Sequence, residues 1–179
     1  MATYWLGIGG IELAEGLYEE ARDACEKGAA LFREIGQQDE LALILSNLVL
    51  SEVGLGKLDD AHRHLHEVLR IVNEIGAFAP GHCAIACAAV LLAQQGEVER
   101  AVELHALVMN HPYFGASQYR AEVIGRPVAA AAADLPPALI AAAQERGRAG
   151  DWQATVRALL AEFNPAAAPP GNSPHCAPA

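Results

Sequence analysis

At 179 residues, with 53% apolar and 6% aromatic side chains, the chain can bury a sizeable core filled mainly by Ala, Leu, Val and Ile, and a single domain is the natural expectation. Twelve Lys and Arg against 22 Asp and Glu give a formal net charge of -10, which repels phosphate backbones and argues against direct nucleic-acid binding. Four cysteines in so long a chain, an N-terminus without a basic segment leading into an apolar one, and apolar runs short of about 18 to 20 residues predict reduced thiols, no membrane segment and a cytoplasmic setting.

An echo with a period of forty residues organises the first two thirds of the sequence. Gly16-Leu17-Tyr18-Glu19-Glu20-Ala21 returns as Gly56-Lys57-Leu58-Asp59-Asp60-Ala61 and as Gly96-Glu97-Val98-Glu99-Arg100-Ala101. Glu34-Ile35-Gly36 returns as Glu74-Ile75-Gly76, and Phe114-Gly115 closes the third unit one residue early. Self-similarity at this period marks stacked supersecondary units, none of which buries its apolar face alone.

Each central glycine separates two stretches with helical apolar spacing, so every unit predicts a helix pair. In the second unit Leu41, Leu45, Leu48, Glu52 and Leu55 trace the first helix, with one polar interruption, and Ala61, Leu65, Val68, Leu69 and Val72 trace the second. Gly36 and Gly76 stand where helix C-caps favour positive φ. Ala21, Ala61 and Ala101 mark where the paired helices cross too closely for more than a methyl group, with the larger Tyr18, Leu58 and Val98 three residues earlier. The resulting boundaries are repeats at about 2–40, 41–80 and 81–115, a helical cap at 116–163 and a disordered Pro- and Ala-rich tail at 164–179. Within the cap, Gly125 and Pro127 predict a kink, Asp134 and Asp151 are read as helix N-caps, and Trp152, Val156, Leu159, Leu160 and Phe163 form a stripe expected to seal the end of the stack.

These residues resemble the tetratricopeptide repeat: Trp5-x2-Ile8-Gly9 matches its opening, and Gly16, Tyr18 and Ala21 match its centre. The second unit keeps Leu48 but has Val49 in place of the glycine. The resemblance implies an all-α, right-handed superhelical stack of antiparallel helix pairs, an α-solenoid. The family's units are about 34 residues, so the longer period implies a longer second helix in each pair. The wording Phe32-Arg33-Glu34-Ile35-Gly36, Asn47-Leu48, His111-Pro112 and Asp134-Leu135-Pro136-Pro137 is also similar to the C-terminal sensor region of bacterial signal-transduction ATPases, the STAND-type transcriptional regulators. Neither a G-x4-G-K-[ST] loop nor a DNA-reading helix pair is present, so the resemblance implies only the sensor part.

By the same resemblance, the first helix of each pair lines a concave groove. Thr3, Leu6, Gly7, Gly10 and Leu13 would face it from the first unit, Leu43, Ser46, Asn47, Leu50 and Val53 from the second, and Cys83, Ala86, Cys87, Val90 and Gln94 from the third. Such a groove is neutral and apolar and lacks the Lys and Arg that hold a terminal carboxylate. Asn47 stands out because an amide offers both donor and acceptor to the backbone of an extended peptide. Its counterparts are Gly7 and Cys87, so any asparagine ladder is incomplete.

His62 and His66, four apart on one helix, are the weak metal candidates, with a solvated face as the plainer reading. His82, Cys83 and Cys87 do not converge easily from one helix, and His105 is expected to be packed, with its second nitrogen in need of a partner. No nucleophile, base and orienter can be assembled from spacing. The expectation is a non-enzymatic module without cofactor that recognises a protein or extended peptide or senses a ligand. A scaffold self-associating through its N-terminal edge and a metal-responsive module are the alternatives.

Overall fold

The structure is a computed structural model that describes residues 1–164; the predicted tail from 165 onward lies outside the described residues. Three antiparallel hairpins follow one another: α1 (Ala2–Glu15) with α2 (Tyr18–Ile35), α3 (Gln38–Gly54) with α4 (Leu58–Ile75), and α5 (Phe78–Gln95) with α6 (Val98–Met109). Each first helix also packs on the next, α1 on α3 and α3 on α5, so the molecule is an all-α solenoid of the tetratricopeptide type.

The echo has a direct structural cause at the hairpin turns. Gly16, Gly56 and Gly96 hold φ of 76°, 71° and 89°, the left-handed region that a side chain would strain. This geometry lets the next residue's N–H reach back five residues, Leu17 to the Glu12 carbonyl and Lys57 to that of Glu52, each at 2.8 Å. The acids that follow, Glu19-Glu20 and Asp59-Asp60, fall in the first turn of α2 and α4, where the helix dipole favours negative charge. Ala21, Ala61 and Ala101 are fully buried where the hairpin helices cross. Tyr18 lies on Gly54, where a Cβ would come within 2.6 Å of its ring.

The longer second helix is present in the first two hairpins, with 18 residues each in α2 and α4, but α6 has only 12. The third unit therefore does not end as Phe114-Gly115 implied. Chain direction changes at Asn110, and Pro112 opens a short α7 (Pro112–Gly115) that buries Phe114. α5 has a mean hydropathy of 1.3, enough for a membrane span by length and composition, which the run lengths did not anticipate. It is the core helix, with 67% of it buried and α3, α4 and α6 against it.

Beyond α7 come α8 (Gln118–Arg120), a π-helical turn (Ala121–Gly125) and α9 (Arg126–Ala131). The kink expected at Gly125 and Pro127 takes the form of this widened turn, because Pro127 has no N–H to donate and its ring crowds the carbonyl four residues back. Asp134 is not a helix cap: it ends a 3-10 turn, and Pro136 and Pro137 start α10 (Pro137–Arg148) with no side-chain cap bond. Asp151 does cap α11 (Trp152–Glu162), accepting from the Ala154 N–H at 2.7 Å.

The end of the stack is sealed differently from expectation. α10 covers α6, close enough that a Cβ on Gly147 would stand 2.1 Å from the Glu103 carbonyl oxygen. α11 turns back onto α4 and α5, with Trp152 over Gly81 and Phe163 against His62 at 5.0 Å. Val156 and Leu159 of its predicted stripe are buried there.

Candidate functional site

α1, α3 and α5 run side by side in the same direction and form the concave wall. Their residues meet at matching heights: Leu6, Leu43 and Cys83 border one cavity, and Leu13, Val53 and Gln94 border the next. The stretch from α8 to α9 crosses this wall, seating Ile124 and Val128 as buried anchors on its way over α5 and α6. Two adjoining spaces remain beneath it, of about 470 and 440 Å³, sharing Ala14, Glu15 and Leu50.

Leu43, Ser46, Asn47, Leu50, Cys83 and Cys87 all line the larger space. Val90 and Gln94 line the second, together with Leu50 and Val53. Thr3 and Ala86 border neither, Thr3 being exposed at the end of α1 and Ala86 buried beneath the wall.

Their polar atoms are not equally available. Ser46 donates its hydroxyl to the Ala42 carbonyl at 2.7 Å, and the Cys87 thiol donates to the Ser46 carbonyl at 3.3 Å. The Asn47 side chain makes no hydrogen bond among the described residues, and its amide sits 3.8 Å from the point a Cβ on Gly10 would occupy. The Tyr119 hydroxyl lies 3.9 Å from that same point, so Gly10 leaves the room in which the two groups face one another.

Tyr119, Arg120 and Ile124 are site residues that sequence reasoning missed. They follow the last echo, and nothing in their spacing ties them to α3, some seventy residues earlier. They also overturn the expectation of a groove without basic residues, because Arg120 borders the larger space and Arg126 the smaller. Arg126 is paired with Glu122 at 3.5 Å. Arg120 lies 4.2 Å over the Phe114 ring and 5.5 Å from that of Tyr113, with no carboxylate partner among the described residues.

Burial dominates the titrations around the groove. It pushes the Cys87 and Cys83 thiols up, although Arg120 pulls Cys83 the other way, and it raises the Tyr119 hydroxyl, to which the neighbouring thiols add. Nothing here is a ready nucleophile. Cys25, packed where a Cβ on Gly9 would stand 2.7 Å from its sulfur, is pushed up to about 12.

The histidines fall elsewhere. His62 pairs with the Gln95 amide, and among the described residues no three His, Cys, Asp or Glu side chains gather as a metal site would require, with or without His66. His82 turns away from Cys83 and Cys87, bonding the Phe78 carbonyl at 3.0 Å and stacking on Phe114 at 4.8 Å. His105 is packed as expected, its Nε2 buried without a partner.

The repeat-packing residues lie mostly between the helices, although Gly16 and Tyr18 also border the smaller cavity. Trp5 is half-buried against Gly28 under the Lys27 ammonium at 5.2 Å, and Leu58 and Val98 pack on the core. Residues 1–74 match the tetratricopeptide repeat family model. The match spans the first two hairpins, nearly all of α1 to α4, and carries the Trp5, Gly9, Gly16 and Ala21 positions. No curated protein and no solved structure matches the chain.

Proposed function

We propose that the chain is a non-catalytic recognition module that holds a short extended peptide in the groove between α1, α3, α5 and the crossing segment. Tetratricopeptide units generally serve as protein-binding rather than catalytic parts, and residues 1–74 match that family. The observation that carries the reading is the Asn47 amide: it faces the larger cavity with both donor and acceptor unspent, among Leu43, Leu50 and Cys87. An apolar trough with one free amide excludes water from side chains while bonding one main-chain unit. A place in a STAND-type regulator, as the sensor that passes this binding to a nucleotide switch, is the finer form of the same reading and rests on the resemblance alone.

The test is selection of peptides from a displayed random library, followed by calorimetry on purified variants. Asn47→Ala should weaken a selected peptide about fivefold to tenfold without changing helix content. A peptide that binds Asn47→Ala and Leu50→Glu as well as the parent chain places recognition on another surface.

A further inference from the structure

Two thiols meet at one cavity. Cys83 and Cys87 stand four residues apart on α5, both free, and both border the larger space under the crossing segment. The trio with His82 does not form, because His82 turns to the Phe78 carbonyl, but residues at i and i+4 share one helix face with Cβ atoms about 5 to 6 Å apart. Cys83 is near enough to Cys87 to oppose its ionisation.

Their neighbours decide what such a pair can hold. A metal site of the usual kind, with three or more ligands, is absent among the described residues, so zinc, which takes four, would find half a shell. Monovalent copper is soft, prefers sulfur and is satisfied by two thiolates in line. Two metal–thiolate bonds of about 2.3 Å put the sulfurs about 4.6 Å apart, a separation that side chains one helical turn apart reach by leaning slightly together. Charge points to the same valence. Two thiolates around a monovalent cation leave one net negative charge, which an apolar cavity penalises unless it is answered. Arg120 borders the same cavity, acts on Cys83 as a positive charge and has no carboxylate partner among the described residues. A divalent soft cation would form a neutral complex and leave Arg120 unanswered.

We infer that Cys83 and Cys87 form a two-coordinate site for a soft monovalent cation, Cu(I), with Arg120 as its countercharge. The site does not depend on the peptide reading, since it uses neither Asn47 nor an occupant of the groove. Binding forms two metal–sulfur bonds and releases two protons to solvent, one of them the proton that Cys87 directs at the Ser46 carbonyl, 3.3 Å away. No electron is transferred, and copper stays monovalent. The cavity of about 470 Å³ leads to both sulfurs, with Cys83 half-buried at its edge and Cys87 deeper. Cys25 does not border it.

The test uses the full chain in a Cys176→Ser background, reduced, freed of reductant under nitrogen and titrated with Cu(I) against a chromophoric Cu(I) chelator. One equivalent should bind, two protons should appear in weakly buffered solution at pH 7, and X-ray absorption at the copper edge should show two sulfur neighbours. Cys83→Ala and Cys87→Ala should each weaken binding by about a hundredfold or more, whereas Cys25→Ala and Asn47→Ala should leave it unchanged. Cys83→Ser and Cys87→Ser, closer in size, should lose binding equally, and circular dichroism of each metal-free variant checks that the helices are in place. Arg120→Gln should weaken binding about tenfold, with Arg120→Lys restoring most of it. Copper held undiminished by either single cysteine variant, one copper shared by two chains, or displacement by an equal concentration of zinc overturns the two-thiol site. Full affinity in Arg120→Gln overturns the countercharge.

Discussion

His64 Nδ1 lies 2.9 Å from each carboxylate oxygen of Glu52, a residue only 1% exposed at the interface of α3 and α4. An ionised carboxylate only accepts, so Nδ1 carries the proton. The pair explains the polar interruption in the α3 stripe: Glu52 occupies a core position because α4 brings a donor to it. Removing the donor leaves a buried charge unanswered, which costs more than the pair contributes. His64→Ala should destabilise the chain by about 3 kcal/mol and Glu52→Gln by less, as read from urea unfolding. Equal and small effects would mean that Glu52 finds water instead.

Acid should loosen the packing around His82 and His105 first. Burial lowers the pKa of His82, with His111 and Arg120 acting in the same direction against the bond to the Phe78 carbonyl, and burial lowers His105 as well. Both bind protons more readily unfolded than folded, so their contribution is intact above the ordinary histidine value of about 6.5 and is lost as pH falls from there through the depressed folded values. Melting temperature followed across that window should decline. His82→Phe, which keeps the stack on Phe114 but cannot titrate, should flatten part of the decline, and an unchanged slope would assign it to other groups.

Gly147→Ala should detach α10 from α6. The added methyl meets the Glu103 carbonyl, a backbone atom that cannot swing aside, so the helices must separate. Overpacking of this kind costs about 1 to 3 kcal/mol, and it should also part Arg146 from Glu99 and Glu103, now at 2.6 and 3.0 Å. Faster amide exchange in α10 with little change in α1 to α4 is the expected pattern, whereas uniform exchange would tie the cap to the whole stack.

Thiol chemistry should report the fold as a whole. Cys25 and Cys87 are buried and all three described thiols are raised by burial, so in a Cys176→Ser background labelling at pH 8 should be slow in the native state and quick after denaturation. Prompt native labelling of Cys87 would show that the groove floor opens, since its thiol is held to the Ser46 carbonyl.

Much of this was legible because helix and hairpin geometry are local. The sequence alone determined the all-α class, the hairpin turns at Gly16, Gly56 and Gly96 and the buried alanines at the crossings, since a 3.6-residue period and a positive-φ glycine act within a few residues of themselves. Even a miss such as Asp134 was local: two prolines start α10 without needing its carboxylate. What only the tertiary structure decided lies where segments distant in sequence meet. Arg120 and Tyr119 come to Asn47, His64 comes to Glu52, and α11 turns back onto α5 instead of extending the stack, because burial of Ile124, Val128 and Phe163 is won against whichever surface the chain can reach, and hydrophobic burial carries no sequence address. The scaffold is written in the repeat, and the charge at the end of its groove is written outside it.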